Sequence, residues 1–141
     1  MNLPNKEYTF SIDLTGETTN ERFKGEFTSL SVLTIGQRMM VEIEKSRRTN
    51  DLRNPTGALS MYAEVIATLR VRLIDTPKWW RDGDFGMELL DENVAAAVYD
   101  KVLEGETKWR ETLDLQAAEV LKKEKAKKKE PTPETPAEET K

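Results

Sequence analysis

The sequence predicts an α+β fold, mainly α, in which an N-terminal β-hairpin packs on about three helices. The main observation is a change of hydrophobic period, because apolar residues alternate near the N-terminus and recur every three or four residues from about residue 35. The length of 141 residues suits one domain. The segment KKEKAKKKEPTPETPAEETK is almost free of apolar residues. We therefore predict a single domain over residues 1–121 and a low-complexity tail over 122–141, disordered beyond about residue 130.

The predicted hairpin begins with a strand whose apolar residues alternate along one face: Tyr8, Phe10, Ile12 and Leu14. A polar, turn-rich run from Thr15 to Asn20 follows, and then a second strand with Phe23 and Phe27 on one face. A lone hairpin is only marginally stable. Its aromatic face therefore needs the helices or another subunit to cover it, and this leaves a homo-oligomer open.

The first helix is predicted from the segment TIGQ, which has the spacing of a capping box between Thr34 and Gln37. The helix should begin at Ile35 and end near Thr49, where turn-forming residues crowd together. We expect its inner face to carry Met39, Met40 and Ile43. The residues expected in solvent are Glu42, Glu44, Lys45, Arg47 and Arg48.

The second helix is predicted from Ala58 onward, because apolar residues recur at helical spacing: Leu59, Tyr62, Ile66, Leu69 and Leu73. Few charged residues interrupt this pattern, so we expect a central helix. Pro77 is expected to end it.

The segment DTPKWWRDGDFGMELLDENV, residues 75–94, admits three interpretations. It suits a corner in which Trp79 and Trp80 wedge between hairpin and helices, a partner surface built on the same rings, or a cation site. The carboxylate spacing departs from the EF-hand pattern, and the corner is favoured. The candidate partner-binding residues are Trp79, Trp80, Met39, Met40 and Phe85.

The third long helix is predicted to begin near Asp91, which is a good N-cap residue. An apolar stripe follows at helical spacing: Val94, Val98, Val102, Trp109 and Leu113. Gly105 lies within this stripe and is the weak point of the predicted helix.

Composition excludes several classes of function. The chain contains no cysteine and no histidine, which removes disulfides, thiolate nucleophiles, imidazole bases and the ordinary zinc and haem ligands. No catalytic residue, metal ligand or cofactor site is predicted, so we expect a protein that is not an enzyme. The net charge of −4 argues against a general nucleic-acid binder.

The cellular compartment of the protein is predicted from two further features of the sequence. The start MNLPNKEYTF lacks the apolar run of a signal peptide, and no apolar run reaches the length of a membrane helix. We therefore expect a cytoplasmic protein that is not secreted and does not have a membrane as a partner.

The order of segments then suggests a family. A hairpin containing FKGEF is followed by a helix ending in SRRTND, then NPTGALSMYAEVIATLRVRLIDTPKWW and LLDENVAAAVYDKVLEGETKWRETL. Over roughly residues 8–115 this arrangement resembles the small tail assembly chaperones of long-tailed bacteriophages. The resemblance implies a cytoplasmic protein of the host bacterium that binds the tape measure protein and helps tail tube subunits polymerise around it.

Such chaperones are often also made in a longer form by a programmed frameshift, and the codons of Lys127, Lys128 and Lys129 would suit a slippery site. Four methionines offer adaptable side chains for a helical client: Met39, Met40, Met61 and Met87. Two alternatives stay open. One is a minor structural head or tail accessory protein of a phage particle, whose hairpin adds to a neighbour's sheet. The other is a small regulatory protein that binds a host factor.

Overall fold

The computed structural model describes residues 3–49 and 56–129. Along these ranges the elements are β1 (Glu7–Thr15), β2 (Arg22–Leu30), α1 (Ile35–Arg48), α2 (Gly57–Arg72), β3 (Leu73–Asp75), α3 (Lys78–Asp82) and α4 (Glu92–Lys129). The predicted fold class is therefore confirmed. Residues 122–129, assigned to the tail from the sequence, continue α4, and the predicted disorder beyond residue 130 falls outside the described residues.

The hairpin pairs β1 with β2 in an antiparallel register that runs from Glu7 opposite Leu30 to Thr15 opposite Arg22. The alternation predicted from the sequence places Phe10 and Ile12 on the buried face. Phe27 of β2 lies opposite Phe10, and their rings stack with centroids 5.3 Å apart. This face is the sheet side of the core.

The predicted end of the second helix at Pro77 is wrong. Helix α2 ends at Arg72, and Leu73–Asp75 pairs antiparallel with β2 to give a three-stranded sheet in the order β1-β2-β3. The buried guanidinium of Arg72 fixes this exit: it donates to the Leu30 carbonyl at 3.1 Å and pairs with Glu106 at 2.6 Å. These contacts are long-range in sequence, so the apolar pattern gives no sign of them.

Helix α4 closes the core from the other side. Val94, Val98 and Val102 are fully buried in the same cluster as the aromatic residues of the hairpin. The helix continues through Gly105, where an added Cβ would lie 2.5 Å from the Tyr8 ring. Gly105 is therefore a point of close approach between β1 and α4, rather than a break in the helix. Among the helices of the described ranges, none has an apolar stretch long enough to cross a bilayer.

The predicted inner face of α1 is also wrong. The capping box between Thr34 and Gln37 is present as predicted, and the helix ends at Arg48 before its C-cap, Thr49. However, Met39, Met40 and Ile43 are exposed. The less exposed positions are mostly polar, namely Gln37, Val41, Glu44, Lys45 and Arg48, and two of them pair with charged residues of α2.

Candidate binding surface

The two adjacent tryptophans form a structural corner. The short helix α3 places Trp80 in the core at 1% exposure, with its ring edge-on to Phe27 at a centroid distance of 5.6 Å. Trp79 lies edge-on to Trp80 at 6.1 Å. Trp80, one of the candidate partner-binding residues, is therefore enclosed by the fold and does not belong to its exposed surface.

Trp79 is half-buried and is also held by the hairpin. Its indole Nε1 donates to the Lys24 carbonyl at 3.0 Å, and its ring packs on Phe23 with centroids 5.1 Å apart. Gly25 of β2 leaves the space that Pro77 occupies beside it. The packing supports the interpretation of this segment as a corner that locks β2 to α3.

The exposed side of α1 carries an unusual set of apolar side chains. Helix α1 contains no buried residue, and Met39 is 60% exposed. We call the four large apolar residues of this side the α1 surface: Ile35, Met39, Met40 and Ile43. A contiguous group of exposed apolar residues is a candidate surface for interaction.

Ion pairs attach α1 to α2. Lys45 pairs with Glu64 at 2.9 Å, and Glu44 lies 3.9 Å from Arg70 and 3.3 Å from Arg48. The hydrogen bond and charge of Glu64 raise the pKa of Lys45 above its ordinary value. Charged groups thus contribute to the contact between α1 and α2, while Ile35, Met39 and Ile43 stay exposed.

A left-handed turn carries Phe85. Three consecutive residues have positive φ, with values of 53° at Asp84, 52° at Phe85 and 94° at Gly86. The backbone closes through a bond from the Glu88 amide to the Gly83 carbonyl at 3.0 Å. Left-handed conformations strain residues other than glycine and often occur at functional sites. The turn leaves the Phe85 ring exposed.

Arg70 connects Phe85 to the α1 surface. Its Cζ lies 5.2 Å from the centroid of the Phe85 ring, and Met40, Glu44, Arg70 and Val71 line a small cavity between α1 and α2. Arg70 thus contacts Phe85 and lines the same cavity as Met40, and we call the α1 surface and Phe85 together the candidate binding surface. Of the predicted partner-binding residues, Met39, Met40 and Phe85 lie on it.

A second apolar feature, the α2–α4 groove, was not predicted as a unit from the sequence. It has a volume of about 400 Å³. Its lining residues are Met61, Tyr62, Val65, Ile66, Gly86, Met87, Leu89, Asp91, Glu92, Ala95 and Ala96. The Tyr62 hydroxyl donates to Glu92 at 2.7 Å, and this bond raises the pKa of Tyr62. Met61 and Met87 thus contribute to the groove, while Met39 and Met40 belong to the α1 surface.

Asp91 does not act as the predicted side-chain cap of α4. Its buried carboxylate accepts from the amides of Thr18 and Thr19 at 2.7 and 2.9 Å and from the Thr19 hydroxyl at 2.7 Å. Burial raises the pKa of this carboxyl, but the hydrogen bonds outweigh burial and the net pKa is lowered. Asp91 therefore ties the start of α4 to the hairpin turn.

The carboxylates of residues 82–92 do not converge on one point. Within residues 3–49 and 56–129, no group of three or more His, Cys, Asp or Glu side chains is placed to hold a metal ion. Asn93, at the position where an EF-hand would need glutamate, donates to the Thr15 carbonyl at 3.0 Å.

Comparison with protein-family models, curated proteins and solved structures finds no match to this chain. The two apolar features are therefore interpreted from their own geometry and chemistry.

Proposed function

We propose that the chain is a non-enzymatic phage tail assembly chaperone. It binds apolar helices of the tape measure protein and keeps them soluble while tail tube subunits polymerise around them. The observation that supports this proposal is the candidate binding surface, in which an entire helix turns its large apolar residues outward. The resemblance of the sequence supplies the identity of the client, and the surface supplies a means of binding it.

The chemistry of the surface suits a variable helical client. Methionine is flexible and polarisable, so Met39 and Met40 can adapt to differing apolar side chains. The neighbouring charges of Glu44, Arg48 and Arg70 already pair with one another. Recognition therefore depends on apolar contact, as when an amphipathic helix docks on a complementary apolar surface.

Co-expression with the tape measure protein of the source phage tests the proposal. The amount of soluble client is measured with the wild-type chain and with the variant Met39→Ser, Met40→Ser, Phe85→Ser. We expect the wild-type chain to keep the client soluble and the serine variant to lose most of this effect. The matched variant Met39→Leu, Met40→Leu, Phe85→Leu keeps the apolar character and should retain it.

This experiment needs a check of folding and a control variant. Circular dichroism checks that each variant keeps its helix content, and Ile74→Ser changes a residue of similar exposure outside the surface. An equal loss with Ile74→Ser, or full activity of the triple serine variant, would contradict the proposed binding surface.

A minor structural role in a phage particle is the second candidate, and one feature favours it. Strand β1 lies at the edge of the sheet and, within the described residues, pairs only with β2. An edge strand can accept a strand from a neighbouring subunit. Quantitative mass spectrometry distinguishes the two candidates: a chaperone should be abundant in infected-cell lysate and absent from finished particles, whereas a structural component should have a fixed copy number in particles.

A further inference from the structure

The distal part of α4 is exposed on all sides, since every side chain from Ala117 to Lys128 is exposed. Helix α4 is 38 residues long, and the buried residues of its apolar stripe end at Val102. Beyond this point Leu115 is 68% exposed and Leu121 57% exposed. Most helical stability in proteins comes from packing of an apolar face, so contact with a partner would stabilise this segment.

The distal helix and the α2–α4 groove face the same side of α4. Ala96 and Glu92 lie in the groove, and Leu121 and Ala117 follow them by 25 residues each. Because 25 residues make about seven full turns, each distal residue lies on the same side of the helix as its counterpart in the groove. The same spacing corresponds to roughly 37 Å along the axis. One continuous helix therefore cannot place its own distal segment in its own groove, but a second copy can.

The charges of the two regions are complementary. The exposed charged residue that lines the groove is Glu92, and no lysine or arginine lines it; Glu88 is exposed beside it. Among the described residues, neither Glu88 nor Glu92 takes part in an ion pair. Arg48 reaches Met87 at the groove, but its charge is paired with Glu44. Residues 122–129 contain six lysines and one glutamate.

We propose that two copies of the chain pair antiparallel along α4. The distal helix of each copy fills the groove of the other, with Ala117 and Leu121 against the groove and the following lysines beside Glu88 and Glu92. The small side chains of Ala95 and Ala96 let the helix approach. Because both copies make the same contact, the buried area doubles and the pair closes as a two-fold dimer. The proposal does not depend on the identity of any client.

Engineered cysteines test the alignment directly, since the chain has no cysteine of its own. The full chain carrying Ala96→Cys and Ala117→Cys is oxidised in air and analysed on a non-reducing gel. These residues are 21 positions apart in one helix, about 32 Å, so a disulfide between them must join two chains. We expect a discrete covalent dimer. The control Ala96→Cys with Ala118→Cys moves one thiol by about 100° around the helix and should cross-link several-fold less.

Three results would overturn the proposal: no cross-link, a ladder of larger oligomers, or equal cross-linking in the control. The charge contribution is tested separately by sedimentation equilibrium of Lys125→Glu, Lys128→Glu. Reversing two exposed charges should raise the dimer Kd about tenfold, and an unchanged Kd would contradict the charge pairing. These measurements use no client, so their failure and a failure of the proposed chaperone function are distinguishable.

Discussion

Replacing Trp80 by alanine should produce the largest loss of stability of any change at the corner. The side chain is 1% exposed and packs edge-on against Phe27 and Trp79. A buried tryptophan removes roughly 200 Å² from water, worth about 5 kcal/mol at about 25 cal/mol per Å². Alanine retains a small part of this burial, so we expect Trp80→Ala to lower the free energy of unfolding by about 4 kcal/mol.

The companion variant Trp79→Ala gives the matched comparison. Trp79 is half-buried and donates one hydrogen bond to Lys24, so its loss should be smaller, about 2 kcal/mol. The free energies of unfolding of both variants are measured by urea unfolding with circular dichroism as the signal. Tryptophan fluorescence is unsuitable because the substitutions themselves change it. A loss of unfolding free energy under about 1 kcal/mol for Trp80→Ala, or a greater loss for Trp79→Ala than for Trp80→Ala, would refute the interpretation as a structural corner. It would favour the alternative that these rings bind a partner.

Three further changes test other parts of the fold by the same unfolding assay. Because the pKa of Asp91 is lowered, this carboxylate stabilises the fold above its ordinary pKa of 3.8, and the stabilisation is lost as the pH falls below that value. The variant Asp91→Asn should be less stable at pH 7 and should lose less stability on acidification. An unchanged acid dependence would contradict this. Gly105→Ala should cost about 1 to 2 kcal/mol because the clash with Tyr8 exceeds the gain in helix propensity; a more stable variant would refute the close approach. Thr34→Ala removes the capping bond to Gln37 and should cost about 1 kcal/mol, whereas Thr34→Ser, which keeps the hydroxyl, should cost little.

The parts of the fold that depend on residues close together in the sequence could be predicted. The alternation of Phe10 and Ile12 and the capping box at Thr34 are local signals, and both appear in the structure. Strand β3 could not be predicted this way. It contains three residues, continues the apolar spacing of α2, and is fixed by Arg72 contacts to Leu30 and Glu106 far along the chain.

The candidate binding surface was only partly predictable for a related reason. Helical spacing groups Met39 and Ile43 on one face, but it does not say whether that face meets the core or the solvent. The assumption that apolar faces point inward was wrong for α1 because pairs such as Lys45–Glu64 attach it through its polar side. Phe85, predicted to bind a partner, is exposed, but its left-handed backbone could not be predicted from the sequence beyond the adjacent Asp84 and Gly86.

The ion pairs between α1 and α2 lead us to expect that this helix opens as a separate cooperative unit. Its opening exposes little buried apolar surface, since α1 contains no buried residue, so the free energy of opening lies well below that of the whole domain. Salt screens its ion pairs while leaving the valines and aromatics of the core nearly unaffected. We therefore expect amide hydrogens of α1 to exchange through a local, salt-sensitive opening, and those around Val98 through global unfolding.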